Sequence, residues 1–452
     1  MYTIKRYILN IHISLSGYFP GITGKGFLMK RVVIAGAGVR ALGWAKGIID
    51  RCQGHSELVA LYDINGKRME GFCALINKQI PSYTDFEKML RETKPTVLLI
   101  CTPDYTHPDL VDMGFAAGLD IVTEKPMGMS RDAIHRILAA EKKYNKKITV
   151  GFNYRFIPYP TAVRQVMMEK PVGEIKHVSA QYYLDYVHAR EYFHRWHAQL
   201  KYSGGLLVHK ATHHFDILNW YIDDEPTEVF AFGSLQKYGA KGPYRGERCS
   251  TCPHAGECPE VLKETLEDAD LNPGSDGDIF KKLYFDAEHE DGYFRDQCVF
   301  GNHVDIYDSM NVLVKYRNGA QMSYALNAFA PWQGYRYTFT GTKGVVEVSC
   351  IDTAPSFMAD GTPAPEDFKK RNTIQIVTGT NRKDITLNEI QIDKVDAPHG
   401  GGDYAMFEQI FGAGGADPLG RIAGSRAGAA SAMIGIGADE SIISGMPVKL
   451  EY

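Results

Sequence analysis

The stretch that decides the fold is KRVVIAGAGVRA at residues 30–41, where an apolar, β-branched run leads directly into Gly36-x-Gly38-x-x-Ala41. In such a pattern the first glycine makes a tight turn and the second lets backbone amides approach a pyrophosphate. The small third residue lets a helix pack closely on the strand. Asp63 ends the next strand-like run, at a spacing near the ~20 residues expected of an acid that binds ribose. The stretch therefore predicts a dinucleotide-binding βαβ unit.

The acid at Asp63 predicts NAD as the cofactor, because a carboxylate repels the 2′-phosphate of NADP. Lys67 and Arg68 follow closely and leave NADP as the alternative. Polar motifs also end two later strands, and the carboxyl ends of parallel strands meet at one ligand crevice. The predicted cofactor-binding residues share such positions: Gly36, Gly38, Val39, Arg40, Asp63, Thr102, Pro103, His107, Glu124 and Lys125.

Two domains are predicted. Strands and helices alternate over residues 29–152, which indicates a parallel sheet covered on both faces. In residues 153–415 the strand-like segments alternate apolar and polar residues, and Asn318-Gly319 is a strong hairpin signal. The predicted fold class is thus α/β. A Rossmann domain is followed by an α+β domain with a large, open, mixed or antiparallel sheet.

Three further segments complete the predicted organisation. Residues 240–300 break the rhythm of the second domain, are rich in Gly, Asp and Cys, and are expected to form an insertion. Residues 416–452 contain an Ala-rich helix that we expect to pack back on the first domain. Residues 1–28 are expected to be a disordered extension, or the product of a start codon placed before Met29. An export signal is the alternative, since basic residues precede a short apolar run.

The composition excludes several classes of protein. The chain has 452 residues, of which 44% are hydrophobic and 23% charged, as in globular proteins and unlike disordered chains. Its net charge of −4 lacks the basic footprint of a nucleic-acid binder. No apolar run reaches the ~18 residues of a membrane span. We therefore expect a cytoplasmic protein with a small-molecule substrate, no nucleic-acid or membrane partner, and homo-oligomers formed through the open sheet.

Histidines are concentrated in one part of the chain. Of 15 in the sequence, seven fall in one short window: His177, His188, His194, His197, His209, His213 and His214. His209 and His213 lie four residues apart on a predicted helix over 204–220 and so share a face, with Lys210 turned aside. This spacing indicates a functional site. Two metal ligands are the alternative use, but no H-E-x-x-H pattern is present and no metal is predicted.

The insertion carries four of the eight cysteines. Cys249-x-x-Cys252 has the spacing of zinc ligands, whereas Cys258 and Cys298 do not complete a second C-x-x-C pair. The sequence leaves open a zinc-clamped loop, free thiols and a disulfide.

The substrate is expected in the crevice between the domains. Asn153 and Arg155 begin where the first domain ends, and Arg195 and Trp196 precede the histidine-rich helix. A Trp face beside hydrogen-bond donors suits a sugar ring. A structural ion pair and a buried indole are the alternative. The predicted substrate-binding residues belong to these two regions: Asn153, Arg155, Arg195, Trp196, His213 and His214.

Six stretches together resemble the Gfo/Idh/MocA family of sugar and polyol oxidoreductases. They are VVIAGAGVRA (32–41), CTPDYTHPDL (101–110), TEKPMG (123–128), GFNYRF (151–156), GGLLVHKATHHFDILNW (204–220) and FTGTKGVVEV (339–348). The resemblance runs through nearly everything from Met29 onward. It implies an N-terminal Rossmann domain and an open-sheet domain that holds the substrate against the nicotinamide.

The resemblance also implies roles for single residues. Lys125 and His213 match the family's catalytic lysine and histidine, and Asp216 matches its helix aspartate. His209 stands where the family commonly has an acidic residue, and we expect it to be the third catalytic group. The expected function is NAD-dependent oxidation of a hydroxyl of a sugar, polyol or glycoside by hydride transfer. The alternatives are a redox-neutral, NAD-retaining glycoside-cleaving enzyme and a non-catalytic cofactor-binding sensor.

Overall fold

The computed structural model describes residues 5–8, 29–266, 270–353, 358, 362–364, 372–379, 384–393, 395 and 397–452. Its strands are, in chain order, β1 (Lys5–Ile8), β2 (Lys30–Ala35), β3 (Ser56–Tyr62), β4 (Ser82–Tyr83), β5 (Val97–Ile100), β6 (Asp120–Thr123), β7 (Ile148–Val150), β8 (Ile175–Asp185), β9 (Pro226–Ser234), β10 (Ser309–Tyr316), β11 (Gln321–Ala330), β12 (Gln333–Gly341), β13 (Gly344–Thr353), β14 (Thr373–Thr378), β15 (Thr386–Gln391), β16 (Ala423–Gly424) and β17 (Val448–Lys449).

Its α-helices are, in chain order, α1 (Val39–Arg51), α2 (Gly66–Leu75), α3 (Phe86–Thr93), α4 (His107–Ala116), α5 (Arg131–Tyr144), α6 (Pro158–Met168), α7 (Tyr186–His194), α8 (Leu200–Ser203), α9 (Gly205–His209), α10 (Thr212–Ile222), α11 (Asp276–Phe280), α12 (Glu288–Asp291), α13 (Gly402–Phe411) and α14 (Ser425–Ser444).

The first sheet has the order β16-β7-β6-β5-β2-β3-β4 and is parallel except for β16. Its central strands are buried on both faces, as their unbroken apolar sequences require. Ala35 lies opposite Tyr62 and Ile100, and Ile100 lies opposite Thr123, so four strands end level with one another. The residues that follow these ends share one edge of the sheet, as the sequence predicts.

The second sheet has the order β1-β15-β14-β13-β12-β8-β11-β10-β9-β17. The β1–β15 and β8–β11 pairs are parallel and the others are antiparallel. Asn318 and Gly319 form the turn between β10 and β11 as predicted, with Gly319 at a φ of 86° that favours glycine. The predicted fold class is confirmed: a Rossmann-like domain is joined to a domain with a large mixed sheet.

One face of the second sheet is covered and the other is open. α14 and α10 lie on the covered face, where Ser431 accepts a hydrogen bond from the Thr212 hydroxyl at 3.1 Å. On the open face Phe232 and Leu313 are 69% and 56% exposed. Large apolar side chains thus reach solvent on the face where the sequence predicts contact with another copy.

Two segments lie on the first domain although the sequence places them in the second. α13 packs on α1, with the rings of Trp44 and Phe407 4.4 Å apart, because its apolar side chains fill the groove beside the sheet. Leu283 and Tyr284 of the insertion enter the same core. Residues of the predicted second domain and of its insertion thus contribute to the core of the first domain.

The two chain ends differ in part from expectation. Lys5–Ile8 forms a strand beside β15, because an edge strand offers unpaired backbone groups to any extended segment. The expected disorder of the extension is corrected there, and the rest of residues 1–28 lies outside the described residues. α14 follows β16, which pairs with β7 of the first domain, and packs mainly on the second. None of the described helices combines the length and apolarity that a membrane crossing needs.

Candidate active site

The loop after β2 has the shape that a dinucleotide requires. Gly36 has a φ of 92°, and a Cβ atom there would lie 2.8 Å from the backbone carbonyl of Cys101, so only glycine fits. α1 begins after Gly38 without a side-chain cap, which leaves its first backbone N–H groups for an anion. The Tyr284 hydroxyl accepts one of them, from Val39, at 3.1 Å. The loop fits the pyrophosphate of NAD.

Asp63, the residue predicted to bind the ribose, also holds this loop in place. Its carboxylate accepts the backbone N–H of Ala37 at 2.7 Å and of Asn65 at 2.9 Å. Arg68 pairs with Asp63 at 3.2 Å and with Asp291 at 2.6 Å. Burial raises the pKa of Asp63, and Arg68 offsets part of that effect. Because Arg68 is held by two carboxylates, it is not a free cation for NADP, and NAD is the cofactor that fits.

The insertion packs over the loop after β2, residues 36–38, which we call the cofactor loop. The sequence does not predict this contact. The Tyr284 hydroxyl accepts the backbone N–H of Val39, at the start of α1. In a second contact, the backbone carbonyl of Ala287 accepts the side-chain amide of Asn65 at 2.9 Å. A Cβ at Gly38 would lie 3.3 Å from the Tyr284 hydroxyl, so the contact is close. No pattern in the insertion marks Tyr284, because the contact depends on how a distant loop folds back.

Arg40 and Glu124, both predicted to bind the cofactor, bind each other. Glu124 accepts from the Arg40 guanidinium at 2.5 Å and from the Trp44 indole at 2.6 Å. Arg40 also pairs with Asp403 at 2.9 Å. Asp403 in turn accepts the side-chain amide of Asn153 at 2.8 Å. This buried network fixes the loop after β6 against α1, and it holds Asn153, predicted to bind substrate, at the junction of the two domains.

His107, predicted to bind the cofactor, connects two loops. Its ring nitrogens lie 3.0 Å from the backbone carbonyls of Pro126 and Thr102, and its side chain is fully buried. These contacts hold the loops after β5 and β6 together. Pro103 precedes a short turn that directs Asp104 into the crevice.

Lys125, His209 and Asp104 form a chain of contacts across the domain junction. The Lys125 ammonium donates to the His209 carbonyl at 2.9 Å and lies 3.3 Å from His209 Nε2. His209 Nδ1 lies 2.6 Å from Asp104 Oδ2. A histidine thus occupies the place of the family's acid, and the carboxylate reaches it from the other domain.

The electrostatics of this chain follow from burial. Burial raises the pKa of Asp104 to about 7. Burial and the neighbouring Lys125 lower the pKa of His209, and burial lowers the pKa of Lys125 itself. A neutral His209 that donates from Nδ1 to Asp104 presents Nε2 as an acceptor to Lys125. Sequence reasoning missed Asp104, although its position after β5 in the CTPDYTHPDL stretch is a usable signal.

The predicted single helix over 204–220 is broken. α9 ends at His209 and α10 begins at Thr212, so His209 and His213 do not share one helical face. The break turns Lys210 inward, which corrects the prediction that it is turned aside. His213 stacks on Tyr154 with ring centroids 4.4 Å apart, and its Nδ1 is buried without a hydrogen bond.

Comparison with known proteins identifies the family. Residues 30–152 match the model of an oxidoreductase family with an NAD-binding Rossmann fold, and residues 167–450 match its C-terminal alpha/beta domain. The chain belongs to the Gfo/Idh/MocA family of oxidoreductases. Its fold and the NAD-binding character of its first domain are those of the family.

Individual relatives agree with this assignment. YteT of Bacillus subtilis (strain 168), named as an oxidoreductase, is 32% identical and aligns with 94% of this chain and 98% of its own. Inositol 2-dehydrogenase of Rhizobium meliloti (strain 1021) is 31% identical over 30% of this chain and 40% of its own. A levoglucosan dehydrogenase structure in complex with NADH and L-sorbose has a TM-score of 0.64 at 16% identity, covering 94% and 100% of the chains, and supports the fold alone.

Two predicted substrate residues of this Gfo/Idh/MocA protein are part of its internal framework. Arg155 makes a two-pronged ion pair with Asp216, at 2.7 and 2.6 Å. His214 is fully buried and its Nδ1 lies 2.7 Å from the Tyr324 hydroxyl of the sheet. The Asp216 pair occupies the guanidinium of Arg155, whereas Nε2 of His214 is buried without a hydrogen bond.

Arg195 and Trp196 remain beside the site. Arg195 donates to the Tyr293 hydroxyl of the insertion at 2.8 Å. Trp196 stacks on His197 with centroids 3.8 Å apart and presents its edge to His209 at 5.7 Å. An indole and an imidazole thus form an aromatic wall next to the Lys125 chain, which suits the face of a sugar ring.

The insertion cysteines gather around a small cavity. Cys249, Cys252, Cys258 and Cys298 line a space of about 20 Å³. All four are free thiols, and burial raises the pKa of Cys249 to about 12, so that this thiol stays protonated. Within the ranges that the structure describes, no group of three or more His, Cys, Asp or Glu side chains is arranged to hold a metal ion.

Proposed function

We propose that the protein oxidises a hydroxyl group of a sugar, polyol or glycoside and passes the hydride to NAD. The observation that carries the proposal is the buried Lys125–His209–Asp104 chain at the edge of the NAD-binding sheet. A relative named as an inositol 2-dehydrogenase supports the substrate class. The aromatic wall of Trp196 and His197 supports it independently.

Two side chains, Lys125 and His213, carry out the proposed chemistry beside the cofactor. Bound NAD supplies the hydride acceptor. The Lys125 ammonium donates a hydrogen bond to the substrate oxygen as negative charge develops there. His213 takes the hydroxyl proton on a ring nitrogen, because its pKa is held low by burial, Lys125 and Lys210, so that the ring is neutral. The C–H bond loses a hydride and the O–H bond a proton, which leaves a ketone or aldehyde.

A carbohydrate panel with two readouts tests the proposal. Sugars, polyols and glycosides are incubated with the protein and NAD, and both NADH and released sugar are measured. Accumulation of NADH in step with an oxidised sugar supports the proposal. Tight NAD binding without turnover across the panel supports the sensor alternative and contradicts the proposal.

A second candidate function is redox-neutral cleavage of a glycoside. The insertion favours it, since Tyr284 contacts the start of α1 and Asp291 pairs with Arg68 beside Asp63, and a cofactor enclosed by these contacts would exchange slowly. A ring hydroxyl would be oxidised, the adjacent C–H would lose its proton, the leaving group would be eliminated, and water addition and return of the hydride would restore the sugar. Sugar release without net NADH in the same panel supports this function over the first.

The proposed role of Asp104 predicts a pH effect. Only ionised Asp104 accepts fully from His209, so wild-type kcat should rise with pH through about 7. Asp104→Asn should lose this rise and lower kcat at least ~10-fold, the worth of a charge-assisted hydrogen bond of ~1.5–3 kcal/mol. The measurement is kcat against pH, with the exposed Asp109→Asn as the control. An unchanged profile in Asp104→Asn would contradict the role.

The raised pKa of Asp104 also predicts that folding stability depends on pH. Its folded-state pKa is raised from 3.8 to about 7. Between these values the folded state holds the proton that the unfolded chain has released, so wild-type protein loses stability as pH rises. Asp104→Asn should lose less stability over this interval in thermal unfolding.

We propose that a second copy of the chain covers the open sheet face. Exposed Phe232 and Leu313 support this, since exposed apolar patches of this kind mark interaction sites. Phe232→Lys with Leu313→Lys should shift the protein in size-exclusion chromatography to its monomer mass of 50.4 kDa. Exposed Leu271→Lys should leave the mass unchanged. A wild-type monomer would overturn the proposal.

A further inference from the structure

We infer that Lys210 binds a carboxylate of the substrate, so that the sugar or glycoside oxidised by this protein is an acidic one. The inference rests on the proposed function and names its substrate class. It comes from a buried lysine to which the proposed proton and hydride steps give no contact with the substrate.

Lys210 is buried without a counter-ion. Its side chain is 4% exposed, and its ammonium forms no ion pair within the part of the chain that the structure describes. The hydrogen bond it makes is a long one, 3.4 Å, to the Tyr154 hydroxyl. Lysine is almost never buried unless it is paired, because an isolated ammonium is costly to desolvate. The arrangement indicates a site made to receive an anion.

The nearest acids are occupied or distant. Asp185 caps α7 by accepting the His188 N–H at 2.8 Å, and its second oxygen accepts the Thr353 hydroxyl at 2.9 Å. Asp352 accepts from the Cys350 thiol at 3.3 Å. Both carboxylates act on Lys210 only through space. A ligand carboxylate would therefore not compete with an existing ion pair.

The groups around Lys210 suit an oxyanion. The ammonium lies 5.7 Å from the ring centroid of Tyr154 and 5.4 Å from that of Tyr182. His213 stacks on the same Tyr154 ring, and its Nδ1 has no hydrogen bond. An ammonium and a phenol hydroxyl thus lie beside the ring of His213, the proposed base.

The excess of positive charge at the site also favours binding of an anion. Lys125 and Lys210 are both buried, and each lowers the pKa of the other basic groups around them. Burial and Lys125 lower the pKa of Lys210 to about 7. A bound carboxylate would cancel this positive field and raise the pKa of His213, which makes it a stronger base. A neutral sugar supplies no such charge. One lysine with neutral donors balances a monoanionic carboxylate better than a dianionic phosphate.

The test compares matched acidic and neutral sugars. Wild-type protein is assayed with NAD on glucuronate and galacturonate, on glucose and galactose, and on glucose 6-phosphate. Wild type should prefer the uronates by at least ~30-fold in kcat/KM, and Lys210→Met should lose that preference through KM for the uronates, as expected when one partner of a buried charge pair is removed. The readout is the ratio of kcat/KM for uronates to kcat/KM for neutral sugars, because removing the Lys210 charge also changes the pKa of His213 and so acts on both sugar classes alike. Lys210→Met should lower this ratio at least ~30-fold.

Two further variants and a binding measurement keep the test decisive. Lys210→Arg should retain the uronate preference, and the exposed Lys201→Met should behave as wild type. Calorimetry of uronate binding to the NAD-loaded protein should give binding that Lys210→Met abolishes, even where no sugar of the panel is turned over. Uronate binding of this kind supports the inference while absent turnover contradicts the proposed function alone.

Other results would overturn the inference. Equal kcat/KM for uronates and neutral sugars in wild type would do so. A preference for glucose 6-phosphate over the uronates would replace the carboxylate with a phosphate. A Lys210→Met protein that loses activity equally on both sugar classes would make Lys210 a positioning residue for Tyr154 and His213.

Discussion

Lys125→Met is expected to lower kcat at least ~100-fold while NAD still binds, because electrostatic stabilisation of the developing oxyanion is among the largest single terms in catalysis. The methionine side chain keeps the apolar length of the lysine and removes the charge. It also removes the donor to the His209 carbonyl at 2.9 Å. Steady-state turnover on the best sugar of the panel, with NAD affinity followed by fluorescence titration, gives the comparison.

A surface lysine provides the control for this variant. Lys142 lies exposed on α5, and Lys142→Met should leave kcat and NAD affinity unchanged. Wild-type turnover in Lys125→Met would place the chemistry elsewhere and contradict the family's catalytic assignment for this chain. Loss of NAD binding in Lys125→Met would assign the lysine to cofactor binding.

His213→Ala is expected to lower kcat by ~100-fold or more, the usual range of general-base catalysis being 10²–10⁴. The ring has a buried nitrogen without a hydrogen bond and a pKa held below its usual range, so it is neutral and ready to accept a proton. External imidazole should restore part of the activity, which a purely structural histidine would not allow.

The stacking of His213 on Tyr154 sets the control for this second variant. Because the alanine removes a ring at 4.4 Å from Tyr154, thermal unfolding is measured alongside turnover. Exposed His177→Ala should change neither. A folded His213→Ala protein with turnover near that of wild type would show that another group takes the proton.

The sequence predicts most of what is local. The Gly36 turn, Asp63 and Lys125 follow from strand ends, because level parallel strands bring such residues to one edge. The fold class and the hairpin at Asn318 follow from periodicity and turn chemistry. These features need only the residues near them.

What the sequence does not predict depends on distant segments. Asp104 becomes part of the site only because the turn after β5 meets the end of α9, which belongs to the other domain, at His209. Tyr284 reaches the cofactor loop only because the insertion folds back on α1. The guanidinium of Arg155 could bind a substrate, but in the folded protein it forms an ion pair with Asp216. A single sequence holds no record of such long-range neighbours.

The proposed function requires that a hydride move from a sugar carbon to NAD. The most direct measurement uses a sugar that carries deuterium on the carbon of the reacting hydroxyl, with mass spectrometry of the cofactor and of the sugar. We expect deuterium in the NADH that accumulates, an equal amount of oxidised sugar, and a loss of both in Lys125→Met. Oxidised or cleaved sugar without deuterium in the cofactor pool at any time would contradict it.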